Sequence, residues 1–378
     1  MRLGIVTWFE YENYGTKLQA YALQSYLRNM GHDAELVNFI IEDKSSSSLH
    51  PKVSLRRRIS NHVSYELKKT AERRFASFLM EKSQKMNSFI AENCHLSRPI
   101  HSNKEYIEIC NQYDALLFGS DQIWNPNWIH PYYYADFEEI TTPRIAYAPS
   151  LGIANVPDTV SSDMRKKLNR FQSLSVREAQ GGDEIYKLTG RQPQLVVDPT
   201  LLLDSNDWLN LAERSDASLP KSRYVLCYFL SDNSNHWAAV KHYAKENGVE
   251  LLIIPQTGFA YWQKNAMIEK TAGVEDFVTL IKNAECVFTD SFHACVFSLL
   301  FQKKFAVFER FAKTDPSAQN TRIYNLLNLA GENARLLPYG AKSIKNESLD
   351  APNPSNRLFD LIDQSKQYLN DSLEQIGK

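Results

Sequence analysis

The sequence predicts an α/β protein with two parallel-sheet domains, and three observations carry that prediction. Short apolar runs of strand length alternate with helical patterns nearly throughout, the order that parallel sheets require. The chain has 378 residues, 43% hydrophobic and 23% charged, enough to bury more core than one domain usually holds. The segments densest in polar groups follow strand-like runs directly, and ligands of open α/β sheets bind outside the carboxyl ends of strands.

In chain order, a strand is expected over 3–8, followed by Asn13-Tyr14-Gly15-Thr16-Lys17 and a helix over 18–30. A second strand over 34–39 precedes Ser45-Ser46-Ser47-Ser48, read through Pro51 as a loop. Residues 55–92 read as mostly helical and unusually basic, with Arg56-Arg57-Arg58, Lys68-Lys69 and Arg73-Arg74. Such a run is either a solvated helix face or a patch that meets anionic lipid headgroups or a pyrophosphate-linked acceptor. Strands over 115–118, 145–148, 173–176 and 195–197 complete the first half. A linker follows, between Asp198-Pro199 and Pro220-Lys221-Ser222, with a short helix over 207–213. The second half repeats the alternation, with strands over 224–229, 250–254, 286–289 and 305–307 and helices over 236–247 and 274–283. A last apolar periodicity over 356–373 predicts a terminal helix docked on the body. The expected domains are 1–205, with the basic helical insertion at 55–93, and 206–350, followed by the segment 351–378.

Composition narrows the function classes. A formal charge of −1 gives no global pull toward nucleic acid. No signal-peptide pattern and no apolar run near bilayer length is present, so a cytoplasmic location is expected. Five scattered cysteines without a C-x-x-C spacing argue against a disulfide framework or zinc knuckle and fit a reducing compartment. No His, Asp and Glu cluster has metal-ligand spacing, and neither a metal nor a cofactor is expected.

The chemistry concentrates in a few places. In Thr289-Asp290-Ser291-Phe292-His293-Ala294 a buried strand gives way to an apolar helix, so Asp290 to His293 stand at a strand's carboxyl end and a helix's amino end. That position suits a phosphate or carboxylate, with Asp290 or Ser291 as the N-cap. The alternative is a capped core helix whose first-turn histidine is satisfied by a backbone carbonyl. Gly119-Ser120-Asp121-Gln122-Ile123-Trp124-Asn125-Pro126 packs an Asp, a Gln, an Asn and an indole into one loop. Sugar hydroxyls need paired donors and acceptors and a sugar's C–H face lies on an aromatic ring, although an Asx turn with a buried Trp explains the same residues. Asn13 and Gly15 mark either a ligand-approaching turn or a plain strand-to-helix junction. Arg177 closes a strand, and Arg322 stands where the helix dipole disfavours a cation, which hints at an anionic partner; surface or local ion pairs are the competing reading for both.

Together, Asn13-Tyr14-Gly15, the 119–125 loop, Arg144-Ile145-Ala146-Tyr147-Ala148-Pro149-Ser150-Leu151-Gly152, Ser175-Val176-Arg177-Glu178, Val197-Asp198-Pro199-Thr200 and Thr289-Asp290-Ser291-Phe292-His293 resemble the polysaccharide pyruvyl transferase family. The resemblance spans almost the whole chain. It implies a fold like the GT-B glycosyltransferases, two Rossmann-like halves facing across a cleft, with the terminal helix returning to the first half. It also implies transfer of the pyruvyl group of phosphoenolpyruvate onto two hydroxyls of a sugar, in a polysaccharide or lipid-linked oligosaccharide precursor, to form a cyclic ketal. By that analogy His293 matches the catalytic histidine and Arg177 a phosphoenolpyruvate-side arginine. Many members carry Arg two residues before the histidine, where this chain has Ser291. The expected donor site therefore combines Asp290, Ser291, Arg177 and Arg322, with Lys303, Lys304 and Arg310 in reserve. His293 is the expected acid and Asp121 the expected base. Asn13, Gly15, Gln122, Trp124 and Asn125 are expected to hold the sugar. A nucleotide-sugar glycosyltransferase would share the fold and place an acidic residue for a ribose in the second half, where Glu275 and Asp276 stand. A non-catalytic two-lobed sugar-binding protein is the third reading.

Overall fold

The computed structural model describes residues 1–39, 55–153, 155–312, 320–344 and 349–377, without the side chains of 55–61. Its elements in chain order begin with β1 (Arg2–Val6), α1 (Tyr14–Asn29), β2 (Asp33–Leu36), α2 (Leu55–Arg74), α3 (Ala76–Asn93), α4 (Asn103–Cys110), β3 (Ala115–Phe118), β4 (Arg144–Ala146), α5 (Asp158–Leu168), β5 (Ser175–Val176), α6 (Ala179–Thr189) and β6 (Gln194–Leu195). They continue with α7 (Ser205–Ala212), β7 (Tyr224–Tyr228), α8 (Ser234–Asn247), β8 (Glu250–Ile253), β9 (Met267–Ile268), α9 (Val274–Asn283), β10 (Cys286–Thr289), α10 (Phe292–Leu300), β11 (Lys304–Phe308), α11 (Thr321–Ala330), β12 (Leu336–Leu337) and α12 (Asn356–Ile376). The serine loop at 45–51 and the side chains of Arg56, Arg57 and Arg58 lie outside the described residues.

The chain divides into two compact units: Met1–His50, Ile90–Leu203 and Arg357–Lys378 form the first, and Pro51–Phe89 and Asp204–Asn356 the second. In the first, a parallel sheet runs β2-β1-β3-β4, with β5 and β6 paired beside it. Its β3 is buried along its whole length, and Phe118, Trp124, Tyr134 and Phe171 fill the core beneath it. The terminal helix α12 is tied here, since Ser365 Oγ accepts from Val197 N at 2.9 Å and Tyr368 OH donates to Ala146 O at 2.8 Å.

The second unit carries a six-stranded parallel sheet in the order β12-β11-β10-β7-β8-β9. Cys227, Phe229, Trp237, Phe288 and Phe308 lie in its core. The basic helical segment, expected as an insertion of the first domain, groups through Phe89 with this unit instead. The reason is specific: Ser64 donates to Asp232, Gly258 N donates to Ser64 Oγ at 3.2 Å, and Trp262 Nε1 donates to Leu67 O at 3.2 Å. Lys85 on α3 pairs with Asp276 at 3.1 Å. These partners lie far along the chain, where local pattern gives no hint of them. No helix among the described residues is long and apolar enough to cross a membrane.

Both sheets reverse direction of growth at one strand. In the first unit β1 has β2 on one side and β3 on the other; in the second β7 lies between β8 and β10. A crevice opens at the carboxyl ends of strands at such a switch point, because the connections leave in opposite directions.

Candidate functional site

At the second unit's switch point the chain after β10 reaches across to the chain after β7. Asp290, fully buried, accepts from Leu230 N at 2.6 Å and from Ser231 Oγ at 2.5 Å. Arg310, just past β11, donates from its terminal nitrogen to Asp290 O at 3.0 Å, and its Nε stands 3.7 Å from Asp290 Oδ2. Burial pushes the Asp290 carboxyl up from its ordinary value, and the Arg310 charge and the two donors pull it back. Asp290 thus forms the seat of Arg310, whose side chain remains one-fifth exposed.

Ser291 caps α10: its Oγ accepts from Ala294 N at 3.5 Å, while its own N donates to Thr289 Oγ1 at 2.9 Å. His293 follows in the first turn, 8% exposed and edge-on to Phe292 at 5.2 Å between ring centroids. Arg322 lies in the first turn of α11, half-buried. That helix is pinned beside Arg310, because Glu309 accepts from Tyr324 OH at 2.6 Å and Asn320 Nδ2 donates to Phe311 O at 2.8 Å. Asp290, Ser291, His293, Arg310 and the start of α11 therefore share one sheet edge. Lys303 and Lys304 do not belong to it. Strand β11 begins at Lys304, so both lysines enter at the opposite, amino edge. Asp276 is equally removed from ligand duty: it caps α9 by accepting from Gly273 N at 2.8 Å and holds Lys85 and Ser215.

At the first unit's switch point Gln19 ties the two strand ends together. Its Oε1 accepts from Ser120 N at 3.0 Å and its Nε2 donates to Trp8 O at 2.8 Å. Asn13 caps α1 by accepting from Thr16 N at 3.3 Å, and Gly15 is buried in that helix's first turn. The helix begins at Tyr14 rather than at 18, so Asn13 and Gly15 build the junction.

Asp121 stands in the left-handed region, at φ 65°, a conformation that costs energy and clusters at working sites. Its Oδ2 accepts from Thr16 Oγ1 at 2.9 Å and its Oδ1 from Gln122 N at 3.0 Å. Arg177 is buried behind it, donating to Asp198 and to Ser120 Oγ at 3.3 Å, with Asp121 Oδ1 at 3.8 Å. Burial alone would lower the Arg177 pKa; the carboxylates of Asp198, Asp121 and Glu178 outweigh it and hold the guanidinium charged. Within this unit its charge faces the carboxylates of Asp198, Asp121 and Glu178.

The loop residues expected to hold the sugar face inward. Trp124 is fully buried, stacked on Tyr134 at 5.8 Å and edge-on to Phe171 at 5.1 Å, with Nε1 donating to Tyr133 O. Asn125 Nδ2 donates to Gln122 Oε1 at 3.0 Å, and both side chains press on Gly152, where an added Cβ would lie 2.5 Å from that oxygen. A ring without an exposed face cannot stack a sugar. The exposed aromatics here are Trp128 and Tyr11, beside the half-buried Trp8. The sequence did offer a signal, a second Trp four residues after Trp124, but not which of the two would be buried.

Comparison with known proteins adds fold and family. Solved structures similar in fold include an Anabaena protein, Alr3699/HepE in complex with UDP and glucose, at 11% identity, covering 99% of this chain and 100% of that one with a TM-score of 0.56. The UDP-GlcNAc 2-epimerases of Methanocaldococcus jannaschii and Neisseria meningitidis follow: the first has 10% identity, coverage of 97% and 100% and a TM-score of 0.53, the second 9%, 98% and 100%, and 0.52. At these identities they establish the GT-B-like α/β fold and nothing finer. No curated protein sequence matches the chain. The sequence profile described as polysaccharide pyruvyl transferase matches residues 13–310, from the cap of α1 to Arg310. The chain belongs to the polysaccharide pyruvyl transferase family and is a transferase enzyme.

Proposed function

We propose that the enzyme transfers the pyruvyl group of phosphoenolpyruvate to two hydroxyls of a sugar in a polysaccharide or lipid-linked oligosaccharide precursor. The observation that carries the donor assignment is Arg310 seated on Asp290 beside the capped start of α10. Phosphoenolpyruvate brings a carboxylate and a phosphate into one small site, and such charge is buried only against cations or several N–H groups. Arg310, Arg322 and the amino end of α10 supply both.

The reaction balances without a cofactor. The methylene carbon of the enol takes a proton, an acceptor hydroxyl adds to the neighbouring carbon, the C–O bond to phosphate breaks, and a second hydroxyl closes the ketal. Of the two hydroxyl protons, one ends in the new methyl group and the other leaves with phosphate. His293 is the acid that protonates the methylene or the departing phosphate; Asp121 is the base at the acceptor hydroxyl. The exposed Lys68, Lys69 and Arg73 of α2 suit contact with anionic headgroups around a lipid-linked acceptor on the cytoplasmic face of a membrane.

Calorimetric titration tests the donor assignment. Phosphoenolpyruvate is expected to bind the wild-type enzyme and to bind Arg310→Ala at least about tenfold more weakly, the loss of one charge-assisted contact. Saturable binding of UDP-GlcNAc with none of phosphoenolpyruvate would replace this reading with a nucleotide-sugar reaction.

A further inference from the structure

We propose that Trp128 and Tyr11, braced by Trp8, form a saccharide-binding platform on the first unit. The proposal rests on the pyruvyl transfer reading for its choice of a sugar as occupant, and it names the surface that would hold that sugar.

The geometry begins with what the 119–128 loop buries. Because Trp124 is sunk in the core and Gln122 turns inward to Asn125, the chain emerges with Trp128 outside, 40% exposed. Its indole is held in place: Nε1 donates to Gln122 O at 3.2 Å, and its backbone N donates to Asn125 O at 3.1 Å. The one polar atom of the ring is thus spent on the loop. What the side chain offers solvent is a fixed apolar surface.

Tyr11 comes to the same place from the other side of the switch point. The segment after β1 is anchored by Lys17, buried at 1% exposure, which donates to Phe9 O at 3.0 Å, and by Gln19, which holds Trp8 O. On that base Trp8 lies 5.5 Å from Tyr11, edge-on, and 6.1 Å from Trp128, with Tyr133 at 6.2 Å behind it. Tyr11 is 58% exposed, between the exposed carboxylates Glu10 and Glu12.

Large rings left outside the core without function cost solubility, and contiguous exposed aromatics mark binding surfaces. The neighbours decide the ligand. A membrane patch would be rimmed by lysine and arginine; here the chain neighbours of Tyr11, Glu10 and Glu12, are exposed carboxylates. Clustered exposed aromatic rings on a polar segment suit the apolar C–H face and the hydroxyls of a pyranose.

The test uses the full-length enzyme without phosphoenolpyruvate, titrated with methyl hexopyranosides and β-linked di- and trisaccharides of gluco, galacto, manno and N-acetylated types. Intrinsic tryptophan fluorescence and calorimetry are the readouts. At least one saccharide is expected to bind saturably, about tenfold more weakly to Trp128→Ala and Tyr11→Ala, with Trp128→Phe keeping most of the affinity. Thermal midpoints of the variants are measured alongside, and each variant should remain folded at the titration temperature. Absence of binding across the panel, or equal affinity in Trp128→Ala, overturns the platform. A saccharide bound through Trp128 without pyruvyl transfer would instead sink the reaction and leave the platform standing; transfer with an unchanged acceptor KM in Trp128→Ala would do the reverse.

Discussion

Asp290 and Arg310 set the character of the second unit's edge, and each depends on the other. A carboxylate with no exposure survives there because Arg310, Leu230 N and Ser231 lie against it; the guanidinium keeps its place because Asp290 gives it an anchor at the strand end. Replacing Arg310 by Ala is expected to raise the KM for phosphoenolpyruvate tenfold or more, on the order of 1.5–3 kcal/mol for a hydrogen bond to a charged group, while the acceptor KM stays unchanged. Steady-state phosphate release measures both. Replacing His293 by Ala should abolish turnover with phosphoenolpyruvate binding largely kept, and near-normal turnover would remove it from the chemistry. Arg177 predicts the opposite signature. Its deletion leaves Asp198 and Asp121 buried without their counter-charge, so Arg177→Ala should cost about 3–5 kcal/mol of stability in urea unfolding. His236 adds a pH dependence. Buried against Phe308 and accepting from Gly340 N, it is pushed down to about 4 from an ordinary 6.5. A depressed histidine contributes stability that is complete above pH 6.5 and is lost as the pH falls toward 4. The thermal midpoint should drop over that range, and less so in His236→Gln, which can still accept from Gly340.

Among the elements, the 119–128 loop shows most clearly what local pattern reveals and what it hides. Strand β3 and the helix α9 were legible with their bounds, because an apolar run after a turn and a strong helical periodicity after Gly273 need no tertiary information. Helix α1 was legible as a helix but starts at Tyr14, since Asn13 caps it and a buried first turn breaks the expected polar entry. The two-residue edge strands β9 and β12 carry too little pattern to be read. Which of two tryptophans is core could not be read either, because Tyr134 and Phe171, which close over Trp124, arrive from elsewhere in the chain. The consequence is measurable: Trp124→Ala should lose about 3–5 kcal/mol, the usual cost of emptying a core site, and Trp128→Ala, at a ring 40% exposed, clearly less. Placement of α2 was hidden for the same reason, its partners Asp232, Gly258 and Trp262 being long-range.

For the whole molecule, two parallel sheets each bring their polar residues to a switch point, the first with a carboxylate and exposed aromatics, the second with a histidine and a seated arginine. Family membership names the class of reaction. In the proposed reaction the anionic donor belongs to the second unit and the polyhydroxyl acceptor to the first. The most direct measurement incubates the enzyme and a precursor glycan with phosphoenolpyruvate labelled in its carboxyl carbon, and in parallel with labelled UDP-sugars, then follows phosphate, UDP and the glycan by mass spectrometry. Pyruvyl transfer predicts phosphate release only when glycan is present, one phosphate per glycan that gains a pyruvate less one water, with the label in the glycan. UDP release with growth of the glycan by one sugar, and no label from phosphoenolpyruvate, would contradict it.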